Sequence, residues 1–383
     1  MTDQVTPTGQ VTHLPGSLYR RALEVGRRAA GATGPNPPVG CLIVRDGAVI
    51  AEGATEPAGG RHAEVVALSA AGERARGSIA VVTLEPCAHH GRTPPCTDAL
   101  IAAGVSEVHV LLRDPDPVAT GGLDVLARSG VATVEVGSER LDLRDMAAHD
   151  LRGFLARVAH GRPHVTLKLA QAPDGSTDPG ADRYLTGEAA RRRVHELRAE
   201  SDAVLVGGAT VRTDDPRLDV RHVATDRQPH PVILTECGDI PLASRVVRHG
   251  AIIVQGPATH RAALDSIAAA GVRLIAAPLQ ATSGGLDLPT ALTALLDVRV
   301  LTVLAEPGPR LAGALIDADL VDVIELHVAG GDRVHEIRPA LPALAELLSR
   351  ADTERTVTPD GDLILRSEMA PMRHAVRALE GAA

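Results

Sequence analysis

Pro86-Cys87-Ala88-His89-His90-Gly91-Arg92-Thr93-Pro94-Pro95-Cys96, read with the earlier His62-Ala63-Glu64, decides how the first half of the chain folds. One imidazole and two thiols, His62, Cys87 and Cys96, make a three-ligand set for Zn²⁺ that leaves a fourth position open for water. A zinc ion draws the pKa of such a water toward neutrality. Glu64, two residues from the imidazole, is placed to move protons between that water and a substrate. The competing reading is a structural zinc site with His89 or His90 as fourth ligand. That reading leaves the Glu64 carboxylate without a purpose. Local patterning suits a working site. His62 and Glu64 fall at a helix start and Cys87 follows a strand, and a helix N-terminus favours the thiolate form that binds metal.

Outward from these motifs, apolar periodicity predicts a helix over 17–30, with Leu18, Ala22, Val25 and Ala29 on one face. Gly34-Pro35-Asn36-Pro37-Pro38 breaks it. Strands over 39–44 and 48–51 turn at Asp46-Gly47, and then come helix 63–73, strand 79–84, helix 97–103, strand 108–112, helix 123–128 and strand 131–136. Such alternation implies a sheet covered by helices on both faces. After a helical stretch over 141–159, Gly161-Arg162-Pro163 reads as a linker. A second series starts at His164, with helix 188–200 and strands 203–206, 232–235, 251–254, 272–275, 300–304 and 323–327. The expectation is an α/β fold twice over, in domains 1–160 and 161–383, and a chain of 383 residues is also too long for one ordinary core.

Composition narrows the function classes. With no Trp, two Tyr and one Phe, the cores must be built from Ala, Val, Leu and Ile. A formal net charge of −9 and the shortage of aromatics argue against nucleic acid as a partner, which needs a basic face and stacking platforms. Arg191-Arg192-Arg193, interleaved with Glu188 and Glu196, reads as a solvated helix face. No apolar run approaches the roughly 18–20 residues of a membrane span. The polar first 14 residues carry no leader pattern, so a cytoplasmic protein is expected. Four cysteines make no disulfide framework, and Cys41 and Cys237 read as buried thiols. A small-molecule substrate, no membrane and a homo-oligomer complete the expectation.

The H-x-E and P-C…C pattern is similar to that of zinc nucleobase deaminases. The eight residues between Cys87 and Cys96 narrow the likeness: the stretch resembles the bifunctional deaminase/reductase family of riboflavin biosynthesis. Asn36-Pro37-Pro38-Val39-Gly40, His62-Ala63-Glu64-Val65, Thr83-Leu84-Glu85-Pro86-Cys87 and Asp114-Pro115-Asp116-Pro117 fit the same family, with Asp116 where Asn is usual. The resemblance implies a cytidine-deaminase-like α/β/α sandwich followed by a dihydrofolate-reductase-like α/β domain. It implies loss of the 2-amino group from 2,5-diamino-6-(ribosylamino)-4(3H)-pyrimidinone 5′-phosphate, then NADPH-dependent reduction of the ribosyl group to ribityl. His62, Cys87 and Cys96 would hold zinc, Glu64 would be catalytic, and Asn36 and Arg92 would contact substrate, Arg92 at the sugar phosphate. Thr55 stands where many members carry His.

In the second half the likeness rests on Lys168-Leu169-Ala170, Asp174-Gly175, Leu185-Thr186-Gly187, Leu197-Arg198, Asp214-Asp215-Pro216 and Leu311-Ala312-Gly313-Ala314-Leu315. It implies Ala170, Tyr184, Thr210, Asp214 and Gly308 at NADPH, and Asp182, Arg198, Leu218, Arg221 and Glu306 at the substrate. This half also departs from the family. Ala172-Pro173 replaces Ser-Leu, Tyr184 replaces Trp, Asp182 replaces a small hydroxyl residue, and Pro307 interrupts a Glu-Gly-Gly loop. A proline there removes an N–H and fixes φ. A second reading therefore stays open, a deaminase carrying a degenerate reductase domain. A third, a nucleoside or RNA deaminase, has the cysteine spacing, the acidic balance and the missing aromatics against it.

Overall fold

The computed structural model describes residues 12–91, 94–178, 180, 184–257, 271–281, 284–330 and 337–371. The chain parts into two compact units between Ala159 and His160.

The first unit is a five-stranded sheet in the order β2-β1-β3-β4-β5. Its strands are β1 (Gly40–Arg45), β2 (Ala48–Ala54), β3 (Ile79–Val82), β4 (Glu107–Val110) and β5 (Ala132–Glu135). The hairpin β1–β2 is antiparallel, β1 pairs antiparallel with β3, and β3, β4 and β5 run parallel. Helices α1 (Gly16–Arg27), α2 (Ala63–Ala71), α3 (Cys96–Ala103) and α4 (Gly122–Arg128) cover it, followed by α5 (Val136–Glu139), α6 (Leu141–Asp150) and α7 (Arg152–His160). Cys41, Leu42, Ile43 and Val44 are buried in succession, the mark of a strand covered on both faces.

With Tyr19 and Phe154 as its large aromatics, this core is otherwise aliphatic and is closed by near approach of backbones. A Cβ at Gly40 would strike the Ala22 carbonyl, so α1 lies directly on β1. A Cβ at Gly53 would strike Ala63 and Ala67, so α2 lies directly on β2, and the start of α2 is fixed with it.

The second unit is a nine-stranded sheet in the order β10-β9-β8-β7-β11-β6-β12-β14-β13. The strands are β6 (His164–Gln171), β7 (Ala203–Gly207), β8 (His230–Thr235), β9 (Ile252–Gln255), β10 (Arg273–Ala276), β11 (Thr302–Ala305), β12 (Val323–Val328), β13 (Glu354–Val357) and β14 (Leu363–Glu368). From β10 to β12 every pairing is parallel, and β14 and β13 add an antiparallel edge. Helices α8 (Glu188–Ala199) and α9 (Gly208–Asp214) flank β7.

Several expectations need correction. The β13–β14 hairpin has no counterpart in the sequence reading: β13 is exposed along its whole length, so no apolar alternation marks it. Gly161-Arg162-Pro163 is no free linker. The Arg162 guanidinium is buried and donates to both oxygens of the fully buried Asp322 at 2.7 and 3.0 Å, and Asp322 also accepts the Val165 N–H at 2.8 Å. Cys237 is exposed rather than buried, because it follows β8 on an open rim. In the arginine run only Arg192 is a solvated side chain. Arg193 pairs with the buried Glu325 at 3.2 Å, and Arg191 lies over the Tyr184 ring at 4.6 Å.

Asp322→Ala is expected to lower the stability of the second unit by about 3–5 kcal/mol, since it leaves Arg162 buried without its counter-charge. The urea midpoint of the full chain should fall accordingly. An unchanged midpoint would show that the pair contributes nothing to holding residues 161–163 on the sheet.

Candidate active sites

Three separate segments bring the first site together. His62 is the N-cap residue of α2, in extended backbone at φ −74° and ψ 158°. Cys96 opens α3 directly after Pro95. Cys87 sits on the loop beyond β3, where the Thr97 N–H and hydroxyl donate to its carbonyl at 3.3 and 3.4 Å. A Cβ at Gly122 would strike the Pro86 carbonyl, so α4 also closes on this loop. Glu85 ties the loop from beneath: its two buried oxygens accept the N–H groups of Asp114 and Leu123 at 3.1 and 3.0 Å.

The resulting geometry fits zinc. His62 Nδ1 lies 3.7 Å from Cys87 Sγ and 3.3 Å from Cys96 Sγ. Tetrahedral bonds of about 2.0 Å to nitrogen and 2.3 Å to sulfur place those atoms about 3.5 Å apart. Among the described residues the ligand group has three members, all within 4.8 Å of one another, and neither His89 nor His90 joins it. Three protein ligands leave a coordination position free, which is the catalytic rather than the structural pattern. The Cys96 N–H donates to Cys87 Sγ at 3.4 Å. Hydrogen bonds from Cys96 and His62 hold the Cys87 thiol well below its ordinary range, the form a metal takes.

Glu64 stands in the first turn of α2, buried, and burial pushes its carboxyl up to about 7. It lines a cavity of about 350 Å³ together with His62, Cys87, Asn36, Asp114 and Asp116. Asn36 is held by its own loop: its N–H donates to the Thr33 carbonyl at 3.0 Å, and its carbonyl accepts the Thr33 hydroxyl at 2.8 Å. The Thr55 hydroxyl is taken up by the Val39 N–H at 3.1 Å. Arg92 lies outside the described residues.

The second unit has a cavity of about 730 Å³ at the carboxyl ends of β7, β8 and β11. In an open parallel sheet that is where ligands bind. Thr210 of α9 and Gly308, the N-cap of the helix Pro309–Asp317, line it. A Cβ added at Gly308 would meet only the Thr210 hydroxyl, at 3.9 Å, and otherwise project into open space. The start of that helix is therefore bare backbone facing the cavity, suited to the pyrophosphate of a dinucleotide.

The other implied residues do not line this cavity. Ala170 is half-buried on β6, Tyr184 is 49% exposed beside Arg191, and Asp214 closes α9 in solvent. Asp182 lies outside the described residues. Arg198 is committed internally. It holds both oxygens of Glu306 at 2.7 and 2.9 Å and donates to the Asp219 carbonyl at 3.0 Å. Burial would raise the Glu306 carboxyl, and the Arg198 guanidinium overrides that and holds it below its ordinary range. Arg221 pairs with Asp219 at 2.7 Å, and Leu218 is buried with φ +54° in the loop between them and Asp215. Lys168, half-buried next to this group, is pushed down by desolvation.

Comparison with known proteins covers both units. The model of the cytidine and deoxycytidylate deaminase zinc-binding region matches residues 15–112, and the RibD C-terminal domain matches 163–330. The riboflavin biosynthesis protein RibD of Escherichia coli is 40% identical over 321 residues, covering 81% of this chain and 86% of its own. That of Aquifex aeolicus is 36% identical over 319 residues, covering 82% and 86%. The chain belongs to the RibD family. Among solved structures, Acinetobacter baumannii RibD superposes with a TM-score of 0.73 at 36% identity, covering 91% of this chain and 96% of that one. A diaminohydroxyphosphoribosylaminopyrimidine deaminase/5-amino-6-(5-phosphoribosylamino)uracil reductase from Thermotoga maritima does so at 0.72 and 29% identity, covering 92% and 97%.

As a RibD protein the chain is a zinc-binding deaminase domain fused to a reductase domain, in riboflavin biosynthesis. Its halves are the cytidine-deaminase-like and dihydrofolate-reductase-like folds. Both RibD domains are present, and neither the degenerate-reductase reading nor that of a nucleoside or RNA deaminase finds support. Among the described residues no helix is long and apolar enough to cross a membrane. Sequence reasoning gave Glu85 no role. The only signal for it was a carboxylate inside an apolar strand end, Leu84-Glu85-Pro86.

Cys87→Ser is expected to lose bound zinc and to lower the melting temperature of the first unit. Metal analysis of the purified variant checks it, and stoichiometric zinc would mean that the ligand set is wrong.

Proposed function

We propose that this RibD protein deaminates a diaminohydroxyphosphoribosylaminopyrimidine and then reduces the 5-amino-6-(5-phosphoribosylamino)uracil that results, the two activities for which the Thermotoga relative is named. The observation that carries the proposal is the convergence of His62, Cys87 and Cys96 beside a buried Glu64 at one cavity. His62, Cys87 and Cys96 hold the zinc, which when bound activates water as a nucleophile. Glu64 takes a proton from water and returns it to the departing amine, so that an amino group leaves as ammonia and a carbonyl forms. A carboxyl held near 7 by burial exchanges a proton readily at neutral pH in either direction. Asn36 orients the ring, and Arg92 takes the sugar phosphate.

In the second half, NADPH supplies the reducing equivalent when bound. Thr210 and Gly308 would hold it at the cavity, and Ala170, Tyr184 and Asp214, which stand outside that cavity, are cofactor residues by the family resemblance alone. Arg198, Leu218, Arg221, Glu306 and Asp182 form the substrate side. There the Arg198–Glu306 pair shapes the site, and Arg221, 39% exposed, offers the free guanidinium edge. We place the protein in the cytoplasm as a homo-oligomer without nucleic-acid partners. The exposed edge strand β13 supports a second copy, since its outer backbone groups are available for pairing.

Two measurements test these roles. Glu64→Gln should keep its zinc and lose roughly 10²–10⁴-fold in ammonia release. A near-normal rate would sink the proton-transfer role. Gly308→Val should weaken NADPH binding in a fluorescence titration, since its side chain enters the cavity beside Thr210. Wild-type affinity would place the cofactor elsewhere.

A further inference from the structure

Arg157, on α7, also lines the deaminase cavity. Its Nε is buried without a hydrogen-bond partner, and no ion pair or hydrogen bond is made by its guanidinium among the described residues. The other buried or half-buried arginines discussed above have partners: Arg162 has Asp322, Arg193 has Glu325, Arg198 has Glu306, and Arg191 donates to the Thr186 carbonyl at 2.6 Å. An unsatisfied buried donor is costly and calls for an explanation. Arg157 is nevertheless held in place. Its guanidinium lies 5.4 Å from the ring centre of Phe154, one helical turn earlier, and Phe154 lines the same cavity. Phe154 is the chain's single phenylalanine.

The charge around it is one-sided. The described lining residues include four carboxyl side chains, Glu64, Glu85, Asp114 and Asp116, and Arg157 is the only Lys or Arg among them. A doubly charged phosphomonoester would be repelled from such a wall. A planar guanidinium with free donors is the group that accepts it, through paired N–H···O bonds.

We propose that Arg157 binds the phosphate of the deaminase substrate alongside Arg92, with Phe154 holding the Arg157 guanidinium plane toward the cavity. The inference rests on the phosphorylated pyrimidine assigned above. It makes the cavity selective for the phosphorylated over the free nucleoside form and gives α7 a part in substrate choice.

The test uses the zinc-loaded full chain and reads ammonia release from the phosphoribosyl pyrimidine and from its dephosphorylated counterpart. Arg157→Ala should raise KM for the phosphorylated form roughly 10- to 100-fold, with kcat changed by far less. The preference for the phosphorylated form should fall by the same factor. Arg157→Lys should recover part of the loss, because it keeps the charge without the fork. Inorganic phosphate should compete with substrate in the wild type and much less in Arg157→Ala. Arg157→Met, which keeps an apolar stem over Phe154, is read in the same way should the alanine variant melt early. Wild-type preference and wild-type phosphate inhibition in these variants would overturn the proposal and leave the anion to Arg92. A wild-type protein that releases ammonia from neither compound would instead overturn the substrate assignment, and this proposal with it.

Discussion

Three ligand atoms from residues 62, 87 and 96 must meet within a few ångströms, and the first unit is arranged around that demand. A histidine and two cysteines far apart in sequence converge only if two helix starts and one loop are fixed against the same sheet. The chain achieves this with close backbone contacts at glycines. Gly53 lets α2 settle onto β2, which sets where His62 emerges, and Gly122 lets α4 close on Pro86, which sets the loop carrying Cys87. Glu85 then locks the loop to backbone amides on both sides. The Cys96 N–H at the start of α3 and the His62 ring at the start of α2 both approach the Cys87 sulfur, so the packing that positions the ligands also favours its thiolate.

The second unit solves a different problem with charge. Its sheet carries Lys168 and Glu325 on neighbouring strands, with Arg193 and Arg198 reaching in from α8 and Glu306 from the end of β11. Such pairs gain little net stability over an apolar core, but removing one partner strands a buried charge. The arrangement therefore fixes geometry more than it adds stability. Glu306 follows β11 with its N–H on the Leu205 carbonyl at 2.9 Å, so the Arg198 bond anchors the segment from which the cavity-facing Gly308 follows.

Much of this was legible in the sequence because chemistry restricts residue types and spacing. The zinc ligands, Glu64 and the alternation of strands and helices could be read from His62-Ala63-Glu64, Cys87, Cys96 and local periodicity. What escaped depends on partners distant in the chain. Arg162 looks like part of a linker until Asp322, 160 residues later, meets it in the core. Nothing local to Arg198 announces that it holds Glu306, 108 residues later. Cys237 looks buried because its neighbours are apolar, yet it sits on a cavity rim. Strand β13 escaped because an exposed edge strand has no need of an apolar face.

The departure at Pro307 can be weighed in the same terms. A proline costs structure where its N–H was needed or where φ must differ from about −65°. Here the preceding N–H, that of Glu306, is the one that extends the β7–β11 ladder, and Pro307 comes after the ladder ends. Pro309 opens the next helix at a position where proline is favoured, since that N–H has no helical partner. Between the two prolines, Gly308 keeps both its N–H and its open approach to the cavity, and the helix behind it is intact, with the Ala312 N–H on the Gly308 carbonyl at 3.0 Å. The loop has fewer backbone donors than one with a glycine at 307. It is also stiffer and so loses less entropy when it orders around a ligand. The substitution trades donors for preorganisation, and the glycine that opens onto the cavity is the one retained.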